Sequence, residues 1–171
     1  MQKKELLISE YRASHDVMTG LWNKISGMDQ IRDCFKDMTE GDRAVLGFVD
    51  IDNFKSVNDT YGHENGDFWI CEIAAALQEM CEPADIACRY GGDEYILFLK
   101  NIEAGDALTA RIESFVKRVH DKAAERKQEV HCSIGFCQIK GGGRDLSECI
   151  AIADKLLYQA KKNGKDTYII G

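Results

Sequence analysis

Apolar side chains recur every three or four positions in several segments, the spacing that places them on one face of an α-helix. Segment 25–38 has apolar residues at 28, 31, 35 and 38, and segments 68–81 and 107–126 repeat the pattern. Segment 145–162 opens with Asp145-Leu146-Ser147-Glu148, which resembles a capping box, and Gly164 follows its end. The spacing therefore predicts four helices.

Shorter apolar or alternating runs predict the strands 44–51, 85–90, 95–99, 130–139 and 167–170. Only Gly91-Gly92-Asp93-Glu94 separates the second run from the third, which predicts a hairpin whose paired glycines supply positive φ angles. A connection this short leaves no room for the crossover that joins parallel strands. The element order thus predicts an α+β fold with an at least partly antiparallel sheet and helices packed on it.

The chain of 171 residues is long enough for about one domain with a full hydrophobic core. Residues 1–15 are charged, with a few apolar positions such as Leu6, Leu7 and Tyr11. We expect this part to be a short helical extension, the linker from an upstream sensory region, and residues 16–171 to form the domain.

Composition narrows the class of protein. The net charge of −7 disfavours a nucleic-acid binder, and a phosphate ligand has to bring a cation or meet a locally basic site. No apolar run reaches the roughly 18 residues of a membrane span, and the first residues lack the apolar core of a secretory signal. The seven cysteines are an odd number without a Cys-x-x-Cys pair, which favours buried thiols in a reducing cytoplasm. We expect a cytoplasmic protein with no nucleic-acid partner and no membrane contact by this segment.

Two acidic clusters lie at predicted strand ends. Asp50 and Asp52 close the first strand, and Asp93 and Glu94 lie in the hairpin turn. Carboxylates at neighbouring strand ends can converge, and their oxygen atoms suit Mg²⁺, which needs only one or two of them when a phosphate completes its coordination. Spacing alone leaves another interpretation open, in which Asp52 caps the next helix and Asp93 and Glu94 merely fill a turn.

The polar segment 53–67 connects the first strand to the next predicted helix. Backbone N–H groups at a helix start after Asp52 can hold a phosphate. The pattern alone also allows Asp67 to be an N-cap and His63 to be a surface turn residue.

Five motifs resemble those of one known family. Segment 89–95, Arg-Tyr-Gly-Gly-Asp-Glu-Tyr, resembles the signature of the GGDEF-domain diguanylate cyclases, with Tyr95 in the final Phe position. The other four agree in order and spacing: Asp16-x-x-Thr19-Gly20-Leu21-x-Asn23-Lys24, the segment from Asp50-Ile51-Asp52-x-Phe54-Lys55 to Gly66-Asp67, Ser133-Ile134-Gly135, and Ala153-Asp154 to Gly164-Lys165. The resemblance extends from Asp16 to the C-terminus. It implies a nucleotidyl-cyclase-like domain with a mainly antiparallel central sheet surrounded by helices.

The same resemblance implies a metal and catalytic set at the acidic clusters. Asp50, Asp93 and the main-chain oxygen of Ile51 would bind Mg²⁺, with Mn²⁺ as an alternative. Glu94 would be a further carboxylate beside the metal. Asp93 would also accept the proton of the attacking 3′-hydroxyl group, so Asp93 and Glu94 form the implied catalytic pair.

The implied substrate-binding set is Phe54, Lys55, Asn58, His63, Asp67, Lys161 and Lys165. In the family pattern Asn58 and Asp67 hydrogen-bond the guanine edge, and His63 lines the nucleotide site. Lys161 and Lys165 contact phosphates. The two lysines also fit a purely structural interpretation, because cations near a helix C-terminus stabilise it by about 0.3–1 kcal/mol.

The implied reaction condenses two GTP molecules into cyclic di-GMP and two pyrophosphates, across a homodimer in which each domain holds one GTP. One alternative is a catalytically silent GGDEF module that binds GTP or a protein partner, and the complete metal set argues against it. Another is a cyclase with a different product, against which Asn58 and Asp67 argue as guanine readers.

Some positions depart from the family pattern. Lys165 stands where Arg is usual, and Asp166 stands where Asn is common. Many members carry an inhibitory product site, Arg-x-x-Asp, at the position of Glu82-Pro83-Ala84-Asp85. Because Glu82 repels the phosphate that an arginine would bind, we expect no tight product inhibition through this site.

Overall fold

The structure, a computed structural model, describes residues 2–141 and 143–171. These residues form six helices and five strands, which confirms the predicted α+β class. The helices are α1 Gln2–Ser14, α2 Lys24–Asp37, α3 Phe54–Tyr61, α4 His63–Met80, α5 Asp106–Arg126 and α6 Leu146–Lys162. The strands are β1 Arg43–Ile51, β2 Ile86–Arg89, β3 Glu94–Lys100, β4 Cys132–Lys140 and β5 Tyr168–Ile170.

The five strands form one mixed sheet in the order β2-β3-β1-β4-β5. β1 pairs antiparallel with both β3 and β4, and β2 pairs antiparallel with β3. Only the β4–β5 pair in the described sheet is parallel. The mainly antiparallel sheet is therefore confirmed, and β1, the strand that ends in the first acidic cluster, lies at its centre.

Alternating side chains of the strands build a hydrophobic core on each face of the sheet. Val45 and Val49 belong to the core that contains α4 and α5, whereas Leu46 and Phe48 belong to the core that contains α2 and α6. Because both faces of β1 are covered, its sequence is a continuous apolar run rather than an alternating one. Such a strand holds the residues at its end in a fixed position.

The polar segment after β1 contains two helices that the sequence pattern did not separate. The predicted helix 68–81 begins earlier, at His63, and a separate helix α3 precedes it. Gly62, with a φ angle of 90°, allows the chain to leave α3 and enter α4 directly. Asp67 therefore lies inside α4, and its interpretation as an N-cap is wrong.

Asp145 occupies the N-cap position of α6, as predicted, but the capping-box bonds do not form. Its side chain makes no hydrogen bond to the N–H groups of the helix. Instead its carboxylate accepts a hydrogen bond from the Ser147 hydroxyl group. The motif thus predicted the start of the helix correctly but not the contacts at that start.

The N-terminal helix α1 is attached to the domain by stacked rings. His15 stacks on Tyr11 at a centroid distance of 4.0 Å and on Trp22 at 4.4 Å. Leu6 and Leu7 of α1 are exposed. These apolar side chains do not make α1 a membrane span, since no helix in the described part of the chain is both long and apolar enough to cross a bilayer.

Candidate metal and nucleotide site

Strand pairing brings the two acidic clusters together. In the register of β1 and β3, Asp50 lies opposite Glu94. The Ile51 N–H group donates to the Asp93 carbonyl oxygen at 3.2 Å. Asp50 and Ile51 are buried, whereas Asp93 and Glu94 are partly exposed. The four residues predicted as the metal and catalytic set therefore lie at one end of the sheet, and the two hairpin residues are the more exposed pair.

The sequence predicts positive φ angles at the paired glycines of the hairpin, Gly91 and Gly92. Neither Gly91 nor Gly92 has a positive φ angle, so that prediction is wrong. A Cβ atom on Gly91 would lie 2.5 Å from Glu94 Oε2. The turn is closed by the N–H groups of Tyr90 and Gly91, which both donate to the Glu94 carbonyl oxygen. The Glu94 carboxylate is the movable end of its side chain, so the geometry of the turn does not by itself require glycine at position 91.

Asp50 is a buried carboxylate with incomplete charge compensation. The pKa of Asp50 is raised to about 7, mainly by burial; the hydrogen bond from Lys161 opposes this rise, and the negative charge of the nearby Asp93 contributes to it. One carboxylate oxygen, Oδ2, forms an ion pair with the Lys161 ammonium group. The other, Oδ1, is buried and has no hydrogen-bond partner among the described residues.

This arrangement fits a divalent cation. An unpartnered buried oxygen and a raised pKa both indicate a carboxylate that lacks positive charge. A cation between Asp50 and Asp93 would supply that charge and remove the repulsion between the two groups. Carboxylate and main-chain oxygens are the ligands that Mg²⁺ prefers. The argument for a cation depends on Asp50 Oδ1, because no group in the described chain donates a hydrogen bond to this oxygen.

We expect the wild-type free energy of unfolding, measured without divalent cations, to fall relative to that of Asp50→Asn as pH rises from about 4 to about 7. Folded Asp50 has a pKa of about 7, against an ordinary value of 3.8. The folded chain therefore binds more protons than the unfolded chain in this window, and folding is favoured at the acidic end. Urea denaturation of both proteins in a chelator at several pH values measures the difference. Parallel pH profiles would contradict a raised pKa at Asp50.

The two predicted phosphate-binding lysines lie near the first acidic cluster. Lys161, in the last turn of α6, pairs with Asp50 as described above. Lys165, in the turn after α6, donates to Asn53 Oδ1 at 2.5 Å. Both ammonium groups thus come within reach of the end of β1, although Asp50 is separated from Lys161 by 111 positions.

The predicted nucleotide-binding residues lie on α3 and α4. A Cβ atom on Gly66 would lie 1.8 Å from Asn58 Oδ1 and 3.2 Å from the Phe54 ring, so this glycine lets the two helices approach closely. The side chains of Asn58 and Phe54 are partly buried at this contact. The structure thereby brings Asn58 and Phe54 together. The other three residues are exposed on the same two helices: Lys55, His63 and Asp67.

A family model described as "Diguanylate cyclase, GGDEF domain" matches residues 13–167. The chain belongs to this family. The signature segment runs from the last residue of β2 into β3; Asp93 lies in the turn of this hairpin and Glu94 is the first residue of β3.

Curated relatives of this GGDEF domain are much longer proteins. It is 36% identical over 160 residues to the bifunctional diguanylate cyclase/cyclic di-GMP phosphodiesterase MucR of Pseudomonas aeruginosa, covering 91% of this chain and 23% of that protein. It is 34% identical over 166 residues to the probable diguanylate cyclase DgcE of Escherichia coli, covering 95% of this chain and 15% of that protein. The chain therefore spans less than a quarter of either relative.

A solved structure supports the same assignment. The diguanylate cyclase SiaD of Pseudomonas aeruginosa, crystallised in complex with its activator SiaC, superposes with a TM-score of 0.84 at 30% sequence identity. The match covers 100% of this chain and 66% of that one. The fold of the GGDEF domain is thus shared along the whole chain.

Arg89 connects two motifs of the GGDEF domain that are far apart in sequence. Its guanidinium group pairs with Asp16 at 3.1 Å and donates to the Gly92 carbonyl oxygen at 2.8 Å. Partial burial opposes ionisation of Asp16, but hydrogen bonds from Thr19 and the charge of Arg89 hold its pKa below the usual value. Both residues belong to motifs that the sequence analysis identified. The contact between them spans 73 positions, and the sequence analysis did not predict it.

Asp52 connects three parts of the GGDEF domain beside Asp50, in the first acidic cluster. It is 5% exposed, and its carboxylate accepts hydrogen bonds from the Ser133 hydroxyl group at 2.7 Å and the Asp166 N–H group at 2.9 Å. The N-cap of α3 is Asn53, which makes no side-chain capping bond. Asp52 therefore joins β1 to β4 and to the turn after α6, and its interpretation as a helix cap is wrong.

Proposed function

We propose that this domain is a diguanylate cyclase that joins two GTP molecules into cyclic di-GMP and releases two pyrophosphates. The reaction is Mg²⁺-dependent and takes place between two copies of the chain. The observation that carries the proposal is the convergence of Asp50 and Asp93, with the buried Asp50 Oδ1 lacking a partner. Nucleotidyl transfer depends on such a site because it is mostly positioning and charge stabilisation.

Each half-reaction forms one phosphodiester bond. The 3′-hydroxyl oxygen of one GTP attacks the α-phosphorus of the other, and the bond from that phosphorus to pyrophosphate breaks. Asp93 accepts the hydroxyl proton, and Glu94 lies beside it as the second carboxylate of the hairpin. Bound Mg²⁺ would supply charge stabilisation for the triphosphate. Asp50, Asp93 and the Ile51 carbonyl oxygen are the groups that would hold it.

Lys161 and Lys165 provide local positive charge in a chain whose net charge is −7. In the free chain the ammonium group of Lys161 compensates Asp50. With Asp50 as a metal ligand, the Lys161 ammonium group would be free to donate to a phosphate oxygen. Lys165 is held by Asn53 at the same end of the sheet and contributes a second phosphate contact.

The base and ribose lie against α3 and α4 in this proposal. Asn58 and Asp67 read the guanine edge, and His63 lines the nucleotide site at the start of α4. Phe54 and Lys55, in the first turn of α3, complete the set. The absence of a side chain on Gly66 leaves the space that the Asn58 amide occupies.

The proposal extends to the context of the domain. Two copies are needed because each copy holds one of the two GTP molecules. Residues 1–15 are the helical extension that connects residues 16–171 to an upstream sensory region, since the relatives are several times longer. Seven unpaired cysteines fit the reducing cytoplasm, where GTP is present.

The decisive experiment is to incubate the chain with GTP and Mg²⁺ and to separate the products by chromatography. Cyclic di-GMP and pyrophosphate should appear in a 1:2 ratio, and a chelator should stop their formation. If GTP binds but no product forms at high protein concentration, the domain is a silent GTP-binding module instead.

Specific activity should rise with enzyme concentration and then level off. Turnover needs two GTP-loaded half-sites on different chains, so the active fraction follows the fraction of dimer. Initial rates over a dilution series, compared with the dimer fraction from analytical ultracentrifugation, measure this dependence. A constant specific activity at concentrations where the chain is monomeric would contradict the two-chain mechanism.

Cyclic di-GMP should not inhibit tightly through the site at Glu82 and Asp85. The Asp85 side chain is only 1% exposed. Its carboxylate accepts hydrogen bonds from the N–H groups of Glu82 and Lys100, both at 2.8 Å, and pairs with Arg111 at 2.5 Å. It is thus engaged inside the domain, and the exposed Glu82 repels phosphate. Initial rates at saturating GTP with added product test this, and submicromolar non-competitive inhibition that Asp85→Asn abolishes would contradict it.

A further inference from the structure

Two histidines and one aspartate meet beside the turn that carries Lys165. His120 lies in α5, His131 precedes β4, and Asp166 lies between α6 and β5. Asp166 Oδ1 is 2.8 Å from His120 Nε2, and Asp166 Oδ2 is 3.4 Å from His131 Nδ1. One ligand atom from each residue lies within 4.8 Å of the other two. Three separate parts of the chain thus direct metal-ligating atoms towards one point.

The hydrogen bonds of this cluster are incomplete. His131 Nδ1 is buried and has no hydrogen-bond partner among the described residues. Its approach to Asp166 is close enough for an ion pair but is not oriented for a hydrogen bond. A buried polar atom without a partner costs free energy, and native structures contain few of them. A bond from Nδ1 to a metal ion would remove this cost.

We propose that His120, His131 and Asp166 form a binding site for a divalent transition-metal ion, for which Zn²⁺ is the best fit. Zn²⁺ accepts two imidazoles and a carboxylate with a fourth position open, whereas Mg²⁺ prefers an all-oxygen set. The site is therefore chemically different from the proposed Mg²⁺ site, and the two share no residue.

The ligand atoms are close enough to converge on one ion, because one atom from each residue lies within 4.8 Å of the other two. Two ligands about 2.1 Å from Zn²⁺ at a tetrahedral angle lie about 3.4 Å apart. The separation of His131 Nδ1 from Asp166 Oδ2 already has this value, 3.4 Å. The 2.8 Å contact of His120 is with the other oxygen, Asp166 Oδ1, so the His120 side chain has to move for both histidines and one Asp166 oxygen to bind the same ion. The His120 side chain is 41% exposed and can make this movement without disturbing the core.

Backbone hydrogen bonds to Asp52 hold two of the three ligands in place. The Asp52 N–H group donates to the His131 carbonyl oxygen at 2.8 Å, and the Asp52 carboxylate accepts from the Asp166 N–H group at 2.9 Å. These bonds fix the backbone of the two ligand residues and leave their side chains available to an ion. Metal binding at this cluster would connect α5 to the turn after α6. The site does not depend on whether the domain is an enzyme.

The test is calorimetric titration of the full chain with Zn²⁺, in excess Mg²⁺ and with a phosphine reductant that keeps the seven cysteines reduced. We expect one Zn²⁺ per chain at this site. His120→Ala and Asp166→Asn should each weaken its affinity at least about tenfold, since even the loss of an outer-shell partner costs about 10–100-fold. His63→Ala removes a histidine elsewhere, and Asp50→Asn alters the Mg²⁺ site, so both should retain the affinity.

Two spectroscopic measurements identify the ligands directly. Co²⁺ bound in place of Zn²⁺ should show visible bands without a thiolate charge-transfer band, which excludes the cysteines. In the wild-type chain, Zn²⁺ should shift the imidazole resonances of two of the four histidines, so the result does not depend on a variant that folds. No binding at micromolar Zn²⁺, unchanged affinity in His120→Ala and Asp166→Asn, or a thiolate band would each overturn the proposal.

Discussion

Asp50→Ala and Asp93→Ala should each abolish cyclic di-GMP formation. Each variant removes a carboxylate that would hold Mg²⁺ where the triphosphate reacts, and Asp93→Ala also removes the proton acceptor. A fall to less than about a tenth of the wild-type rate corresponds to a loss of more than about 1.4 kcal/mol of transition-state stabilisation. Initial rates of pyrophosphate release at saturating GTP and Mg²⁺ measure this loss of activity.

The fold should survive both substitutions. The hydrogen bond between the hairpin and β1 joins the Asp93 carbonyl oxygen to the Ile51 N–H group and does not involve the Asp93 side chain. Asp50 is a buried acid whose pKa is raised to about 7 by burial, so its ionised form is not favourable for folding near neutral pH. The Lys161 side chain is 32% exposed and can turn to solvent when its partner is removed. Both variants should therefore lose activity while they remain folded.

A matched control is Glu113→Ala, which removes an exposed carboxylate from α5, a helix that contributes none of the proposed metal or nucleotide ligands. It should retain the wild-type rate, because it changes the net charge without touching the site. Thermal unfolding of all three variants shows whether each one folds. A folded Asp50→Ala or Asp93→Ala variant with more than about a tenth of the wild-type rate would refute the metal assignment.

Local patterns predicted the elements that hold the acidic residues. The apolar run 44–51 predicted a buried strand, and β1 is buried on both faces. The short connection around Gly91 and Gly92 predicted a hairpin, and β2 pairs antiparallel with β3. The convergence of Asp50 with Glu94 follows from these two elements once β1 and β3 are neighbours. This part of the site could be predicted from the sequence, because it depends only on the periodicity of apolar residues and on the length of one turn.

Local patterns failed where a residue's partner lies far away in the chain. Helix α3 was missed for a separate reason. It has eight residues and only Val57 is buried, which is too little for an apolar stripe to be recognised. The bond from Ser133 to Asp52 spans 81 positions and depends on the register of β1 with β4. The Lys161–Asp50 ion pair likewise depends on the packing of α6 against the sheet. Spacing along the sequence contains no signal for such contacts.

GTP should be preferred over ATP by at least about a hundredfold in kcat/KM. Guanine presents N1–H and N2–H₂ donors to Asp67, whereas adenine presents an acceptor at N1 and no exocyclic amine at C2. An ATP molecule would leave the Asp67 carboxylate facing an acceptor, and unpaired polar groups give the strongest discrimination between substrates. Because Asp67 is exposed in the free chain, the ratio should lie below the roughly 10⁴–10⁵ that enclosed polar sites reach.

Asp67→Ala should narrow this preference, since it lowers the rate with GTP more than the rate with ATP. Glu64→Ala is the matched control, because it removes an exposed carboxylate from the first turn of the same helix. If general electrostatics set the preference, the two variants should behave alike; if Asp67 reads the base, only Asp67→Ala changes the ratio. Competition between GTP and ATP in one reaction gives the ratio of kcat/KM directly. Equal use of both nucleotides by the wild-type chain would show that Asp67 does not read guanine.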